Sequence, residues 1–351
     1  MFIGSFFVHL SIPFSEKIPN WIGGQVIWKR ERSVKMKARF FPVIDGHADT
    51  LVRLAEEGGS LGKAPHLHLD LPRLKTAGVR LQVLAVCAAK RLNPYPWAKR
   101  IISHWQQEYE EHQEALIWIK SAADFKTWAS GEKVGVILAL EGLEPLAEEL
   151  TRLEEFYELG VRMLALTWNG ANHFACGVGA PEDTGLTALG KALVEAAEER
   201  GMILDLSHLG QRSFFDLMAV ARQPVCVSHA NAYSIHPHRR NLTTEQIKLV
   251  AAGGGTVGLT FYPPFIGPGP VDRRALIPHL EAILAAGGED CPALGSDFDG
   301  IDLTPNDLLD VTGIPGFLND LVVAGFSQQV VTKVAGANLY RFLAHKFSAT
   351  S

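Results

Sequence analysis

The chain alternates between short apolar runs and longer stretches in which apolar residues recur at spacings of three and four among charged ones. Runs of valine, isoleucine and leucine that are apolar along most of their length are typical of strands buried on both faces. A parallel sheet covered by helices produces this alternation. Eight such runs predict strands, at residues 41–45, 80–87, 134–140, 161–167, 202–207, 224–228, 255–261 and 291–296.

Eight strands that alternate with helices predict an α/β fold of the (β/α)8 TIM barrel type. Two segments between the strands are strong helix candidates, residues 95–120 and 185–201, and the second ends in glycine. The rival architecture is an open doubly wound sheet, but no G-x-G-x-x-G or Walker loop follows an early strand. No linker rich in proline, glycine or serine divides the chain, so residues 36–351 are expected to form one domain.

The first 35 residues do not fit the alternation. Their start, MFIGSFFVHLSIPF, is too short to span a bilayer and lacks both the basic beginning and the small-residue end of a signal peptide. One interpretation is that translation begins at Met36 and that residues 1–35 are an upstream misassignment or a loose arm. The other interpretation is an ordered extension that buries Trp21, Ile22 and Trp28.

Composition narrows the classes of partner and the compartment. The chain has 351 residues, of which 47% are hydrophobic and 20% charged, as in an ordinary globular protein. A net charge of -5 provides no footprint for nucleic acid or for an anionic membrane, so a small molecule or small peptide is the expected partner. The four cysteines form no C-x-x-C, which predicts buried thiols in a reducing, cytoplasmic compartment and no cysteine-based zinc site: Cys87, Cys176, Cys226 and Cys291.

Potential metal ligands follow the predicted strands. In a barrel of this kind the chemistry gathers at the carboxyl ends of the strands. The first strand ends in H-x-D, in which residues two apart point to the same side and can hold one ion. Strands one, three, five, six and eight are followed or ended by His47 and Asp49, Glu141, His208, His229 and Asp297.

Each of these residues also has an ordinary structural explanation. A histidine at a strand end is often only hydrogen-bonded there, a glutamate such as Glu141 often caps the next helix, and Asp297 and Asp299 are common Asx-turn residues. The coincidence of all of them at the strand ends of one barrel is much less plausible, so we predict a dinuclear metal site. Imidazole and carboxylate without thiolate favour zinc, with manganese, iron and cobalt as alternatives.

The expected arrangement places His47 and Asp49 on one ion, His208 and His229 on the other, and Glu141 between them. Paired ions of this kind lie about 3.5–4 Å apart and share a hydroxide that serves as a nucleophile. Two other histidine pairs, His66 with His68 and His236 with His238, follow no strand and are expected in loops.

The motifs in combination resemble one known family. The segments DGHADTL, LALEGLEPL, LALTWNGAN, LDLSHLG, VSHANAYSIHPHRRNLTTEQI and ALGSDFDGI, in this order and spacing, are similar to those of the membrane dipeptidase (renal dipeptidase) family. These are the M19 metallopeptidases of the amidohydrolase superfamily, which are TIM barrels of the metal-dependent hydrolase type. The resemblance runs from about Ile44 to Leu343.

The resemblance implies roles for individual residues. It implies two zinc ions on the ligands already named, and a general acid/base role for Asp297, which would carry the proton of the bridging water to the leaving amine. It implies that Arg240 holds the C-terminal carboxylate of a dipeptide. Tyr262 either contacts the substrate or packs under a proline-rich loop.

One position departs from the family pattern. Where the best-known members carry a histidine after Leu-Thr, thought to contact the substrate carbonyl, this chain has Trp168. An indole donates one hydrogen bond but cannot carry a proton. Either the pocket is reshaped or the substrate differs, and the nearby His173 has no geometric claim to replace the missing residue.

The sequence as a whole predicts a cytoplasmic binuclear zinc dipeptidase. Its substrates would be small dipeptides with a free C-terminal carboxylate, and a D-residue at that end is compatible with the resemblance. The alternatives are another amidohydrolase reaction, on an N-acyl amino acid or a lactone, and a metal-bearing inactive barrel used in binding. A homodimer is compatible with the resemblance, since relatives are often dimers.

Overall fold

The computed structural model describes residues 18–22, 25–29 and 42–348. The chain divides into two units, residues 1–40 and 41–351. In the first unit, strands β1 (Ile18–Ile22) and β2 (Gln25–Lys29) pair antiparallel. The predictions about Met36 and about the side chains of Trp21, Ile22 and Trp28 fall outside the described part of the chain.

The second unit is a closed barrel of eight parallel strands. Each strand pairs with the next, and the last pairs back with the first through Leu294 and Asp45. This closure confirms the (β/α)8 TIM barrel and the position of all eight predicted strands. They are β3 (Val43–Ala48), β4 (Val79–Cys87), β6 (Val134–Glu141), β7 (Val161–Ala165), β8 (Ile203–Asp205), β9 (Cys226–Val227), β10 (Thr256–Leu259) and β11 (Pro292–Leu294).

Helices cover the outside of the barrel, and five of them begin after a residue whose side chain caps the first turn. The prediction for residues 185–201 is confirmed by a helix that starts after Thr187, whose hydroxyl accepts the Gly190 N–H. The helices are α1 (Thr50–Glu57), α2 (Leu71–Ala77), α3 (Pro94–His112), α4 (Ala122–Ser130), α5 (Thr151–Glu158), α6 (Ala188–Glu199), α7 (Gln211–Val220), α8 (Thr244–Ala252), α9 (Pro263–Ile266), α10 (Ile277–Gly287), α11 (Ile314–Val323), α12 (Gln328–Thr332) and α13 (Asn338–Ser348).

The prediction of one helix over residues 95–120 was wrong at its end. Helix α3 stops at His112, and Leu116–Trp118 form a further strand, β5, which pairs with the start of β6. Pairing between β6 and β7 begins only at Leu138. The backbone groups of the first residues of β6 therefore form their hydrogen bonds with β5 on that side. Trp118 also packs edge-on against Trp105 of α3.

Apolar side chains fill the barrel interior. Ile44, Val83, Ile137 and Met163 are buried there, and Phe342 of α13 belongs to the same cluster. The interior is therefore a packed core, and the chemistry must lie at the carboxyl ends of the strands. Among residues 18–22, 25–29 and 42–348, no helix is both long and apolar enough to cross a membrane.

Candidate metal centre

The structure brings the predicted ligands together at the carboxyl end of the barrel. His47 lies in β3, Glu141 is the last residue of β6, and the others follow their strands within a few residues. Each is at most 8% exposed, which is unusual for residues of these types. The cluster consists of His47, Asp49, Glu141, His208, His229 and Asp297.

Glu141 occupies the centre of the cluster. Its Oε2 lies 3.7 Å from His47 Nε2, and its Oε1 lies 2.9 Å from His208 Nε2 and 3.8 Å from His229 Nε2. On the other side, His47 Nε2 lies 3.4 Å from Asp49 Oδ2. The two oxygens of Glu141 thus face different histidines, as a carboxylate shared by two ions would.

The ring nitrogens of His208 and His229 fit a cation. His208 Nδ1 lies 3.0 Å from Asn169 Oδ1, which can only accept, so this nitrogen carries the proton. His229 Nδ1 lies 2.8 Å from Ser228 Oγ, and the Ser228 hydroxyl donates its own proton to Asp205 Oδ2 at 2.5 Å. Both Nε2 atoms therefore present lone pairs.

These two lone pairs face each other at 2.8 Å. Both ring nitrogens of His47 are also buried without a hydrogen-bond partner among the described residues. Buried polar atoms without partners are costly, and opposed lone pairs repel. A divalent cation would relieve both problems, and a set of imidazole and carboxylate donors suits zinc.

The groups that orient the two histidines were missed by sequence reasoning. Asn169, Ser228 and Asp205 fix which ring nitrogen points into the cluster, a function that partners of metal-binding histidines commonly serve. The sequence offered one sign of these orienting groups, the serine directly before His229. The Asn169 contact joins two separate loops, and local sequence does not reveal it.

Burial dominates the electrostatics of the acids in the cluster. Burial, with the charge of Asp49, raises the pKa of Glu141, and burial raises the pKa of Asp297 to about 7 although His47 and Arg240 oppose the shift. Burial lowers the pKa of His208 and His229 well below the usual value. Burial lowers the pKa of His47 too, but the charges of Glu141, Asp49 and Asp297 outweigh it and raise that pKa to about 10. The neutral His208 and His229 offer lone pairs directly, and a cation would displace the protons held by the other groups.

The backbone of the cluster adopts conformations that non-glycine residues rarely take. His208, Asp297 and Asp299 have φ values of 67°, 64° and 66°, in the left-handed region. Such conformations cost about 1 kcal/mol or more each and gather at functional sites. They aim the His208 and Asp297 side chains into the cluster, and no sequence pattern indicated them.

A cavity of about 750 Å³ opens over the cluster. Arg240, Tyr262 and Trp168 line it, as do Glu141 and Asp297. The Arg240 guanidinium is buried and donates one hydrogen bond to the His229 carbonyl at 3.3 Å, with no ion pair among residues 42–348. Its burial lowers its pKa. A buried cation without an acid partner is energetically costly, and an anion in the cavity would compensate its charge.

Trp168 and Tyr262, the two other residues singled out in the sequence, lie at different positions in the cavity wall. The Trp168 ring lies 6.0 Å from that of His208 between centroids, so it flanks the cluster. Tyr262 lies at the rim, packed edge-on against Phe265 at 4.8 Å. His173, by contrast, is half-exposed beside Glu148 and lies outside the cavity lining.

The loop histidines lie apart from the predicted ligands. His66 is beside Glu57 at the surface, and His68 Nδ1 accepts the Asp299 N–H at 2.9 Å. His238 stacks on Phe265 in the cavity wall. Their positions agree with the expectation that both pairs belong to loops.

Cys87 lies closer to the cluster than expected. It ends β4, and its Sγ lies within 4.8 Å of carboxylate oxygens of Asp49 and Glu141. Burial raises the pKa of this thiol well above its ordinary value. Sequence reasoning set the cysteines aside because they form no C-x-x-C, and so did not place this thiol beside the predicted ligands.

Comparison with known proteins identifies the family. The sequence model described as membrane dipeptidase, peptidase family M19, matches residues 31–349. The chain belongs to this family. The M19 chain is a metallo-dipeptidase by this membership, as the resemblance predicted. A protein from the pqqA 5′ region of Klebsiella pneumoniae is 35% identical to it over 64% of this chain and 86% of that protein.

Solved structures agree with this M19 assignment. A metallopeptidase described as the dipeptidase AC of family M19 is 28% identical, with a TM-score of 0.81 over 88% of this chain and 99% of that one. A metallopeptidase from Rhodobacter sphaeroides, solved with a phosphinate mimic of the dipeptide L-Ala-D-Ala, is 27% identical, with a TM-score of 0.82 over 87% and 99% of the two chains.

Proposed function

We propose that this M19 chain is a binuclear zinc enzyme that hydrolyses small dipeptides with a free C-terminal carboxylate. The observation that carries the proposal is the convergence of three histidines on Glu141 in the same cavity as the buried, unpaired guanidinium of Arg240. The Rhodobacter sphaeroides relative, which holds a mimic of L-Ala-D-Ala, supports a dipeptide substrate and a D-residue at its C-terminal position.

The chain's ligands would divide between two ions. His47 and Asp49 would hold one zinc ion and His208 and His229 the other, with Glu141 shared by both. When bound, zinc supplies a Lewis acid and lowers the pKa of water toward neutrality. The opposed Nε2 lone pairs of His208 and His229 support this assignment.

Asp297 is the proposed general acid/base. It is buried at the cavity floor, with Oδ1 4.0 Å from His47 Nε2, and a carboxyl pKa of about 7 suits both accepting and giving a proton near neutral pH. It would take the proton of the attacking water and deliver it to the leaving amine.

Arg240 and Trp168 would position the substrate. A guanidinium binds a carboxylate in two parallel hydrogen bonds, which suits the C-terminal end of a dipeptide. Trp168 offers an indole N–H and a flat apolar surface, so it can orient a substrate but cannot transfer a proton. Tyr262, at the rim, would contact the residue that Arg240 holds.

The test is hydrolysis of L,L- and L,D-dipeptides and of N-acyl amino acids by zinc-loaded protein, with and without chelator, together with a zinc count per chain. We expect two zinc ions and chelator-sensitive cleavage of dipeptides. Cleavage of N-acyl amino acids or lactones alone would favour another amidohydrolase reaction, which the presence of Trp168 makes the second candidate. Bound zinc without turnover on any substrate would favour an inactive binding barrel.

The cellular compartment and the oligomeric state of the protein stay predictions. None of the four cysteines forms a disulfide, which supports a reducing, cytoplasmic location. Fractionation of the source cells tests this location. A homodimer would be detected by light scattering of the purified chain.

A further inference from the structure

We propose that Lys90 selects dipeptides with an acidic side chain on the residue amino-terminal to the scissile bond. This inference rests on the proposed dipeptidase function. Lys90 follows β4, and its exposed side chain lines the cavity above the metal ligands. Its ammonium lies 4.0 Å from the centroid of the Trp168 ring, as in a cation–π pair.

Lys90 is the unneutralised charge on this wall of the cavity. It forms no ion pair among residues 42–348. Its neighbour Arg91 also lines the cavity, but Arg91 pairs with Glu56 and stacks on Trp97. The contact with Trp168 holds the Lys90 ammonium in place without cancelling its charge, so it can bind an anion of the substrate.

Lys90 and Arg240 line the cavity from segments that follow strands on opposite sides of the barrel. Arg240 follows β9 and Lys90 follows β4, and three strands separate β4 from β9 in either direction around the barrel. The metal ligands lie between them. A dipeptide whose C-terminal carboxylate binds Arg240 must therefore extend its amino-terminal residue toward Lys90.

The chemistry of this wall fits a glutamate or aspartate side chain. Trp168 can pack against methylene groups beside the Lys90 ammonium, which binds the carboxylate at their end. The amide of glutamine has the same shape but no charge, and a basic side chain would be repelled. We therefore expect the enzyme to prefer the charged glutamate side chain over the neutral glutamine side chain of the same shape.

Two other charged side chains at the cavity rim, Asp302 and Arg239, provide alternative explanations for such a preference. Asp302, in the segment after β11, lines the cavity and accepts a hydrogen bond from the Tyr262 hydroxyl. Arg239 is exposed, lines the cavity and has no ion pair among residues 42–348, but it shares the loop of Arg240. If Arg239 bound the acidic side chain, the preference would concern the C-terminal residue.

The test compares kcat/KM for Glu-Ala and Gln-Ala, and for Ala-Glu and Ala-Gln, with zinc-loaded protein. We expect Glu-Ala to exceed Gln-Ala by about fivefold, the upper range for a partly exposed ion pair. Lys90→Met should bring this ratio close to one, and Lys90→Glu should invert it. Arg239→Met should leave the ratio unchanged, as should the control Lys126→Met on the surface of α4.

The outcomes separate the inference from the function on which it rests. Cleavage of all four peptides with equal efficiency would overturn the role of Lys90 and leave the dipeptidase proposal standing. A preference that survives Lys90→Glu, or that disappears in Arg239→Met, would also overturn it. Failure of zinc-loaded protein to cleave any dipeptide would overturn the proposed function and this inference with it.

Discussion

His208 and Asp297 share a left-handed backbone conformation but are assigned different tasks, and single substitutions separate these tasks. Asp297→Asn preserves the shape of the side chain but removes its ability to exchange a proton. We expect it to keep most of its zinc and to lose about 10²- to 10⁴-fold in kcat. His208→Ala should lose zinc as well as turnover. Zinc content by mass spectrometry, measured beside kcat, distinguishes the two, and a fully active Asp297→Asn enzyme would remove the assignment.

The raised pKa of Asp297 also predicts how the stability of metal-free protein depends on pH. The pKa is about 7 in the folded chain and near 3.8 when unfolded, so the folded state binds the extra proton between these values. The contribution of Asp297 is full below pH 4 and is lost as the pH rises to about 7. The free energy of unfolding, measured relative to Asp297→Asn, should fall by on the order of 2–4 kcal/mol over this range. A flat difference between the two proteins would contradict the shift.

Arg240 is expected to affect substrate binding more than the chemical step. Arg240→Ala should raise KM at least about tenfold for dipeptides, the effect of losing a charged hydrogen bond. A dipeptide amide, which lacks the C-terminal charge, is the matched control, because it should bind wild type and Arg240→Ala about equally. An unchanged KM for free dipeptides would mean that the carboxylate is bound elsewhere.

At the scale of elements, strand packing holds the ligands in position. The loop after β11 is fixed to β3 by hydrogen bonds from the Asp297 N–H to the His47 carbonyl, at 3.1 Å, and from the Asp49 N–H to the Phe298 carbonyl, at 2.8 Å. Asp45 accepts both the N–H and the hydroxyl of Ser296. The ends of β3 and β11 therefore form one unit, and Asp297 cannot move independently of His47.

Gly295, just past β11, is required by the close approach of the Ser228 carbonyl. A methyl group there would overlap the Ser228 carbonyl oxygen, whereas one at Gly170 would meet no atom within 4 Å. Gly295→Ala should therefore lower the free energy of unfolding by about 1–3 kcal/mol and weaken zinc binding by displacing His229. Denaturant unfolding and zinc titration measure both effects. Gly170→Ala is the control, and equal stability of the two variants would contradict this account.

At the scale of the whole molecule, local patterns were sufficient for the barrel. All eight strands were predicted because each is apolar enough to be buried on both faces, a property of its own residues. The boundary near His112 was wrong because β5 is a three-residue strand stabilised by pairing with β6, which its own residues do not reveal. The positions of His47, Glu141 and His229 could be predicted because chemistry in this fold gathers at strand ends.

What the sequence did not indicate depends on contacts between loops. Asn169 reaches His208 and Lys90 lies over Trp168 between loops that follow different strands, and Cys87 lies opposite Glu141 on the paired strands β4 and β6. The left-handed conformation of His208 likewise has no dependable local signature, because only a few per cent of non-glycine residues adopt it, even though histidine is enriched among them. The zinc ions and the role of Asp297 stay predictions for experiment.

The clustered side chains come from β3, β6 and the segments after β3, β8, β9 and β11, so they span the chain from His47 to Asp297. During synthesis on the ribosome these groups emerge one after another. The last joins the first only when β11 has been made and has paired with β3. An unfinished chain therefore cannot assemble the complete cluster, which forms only once the barrel has closed.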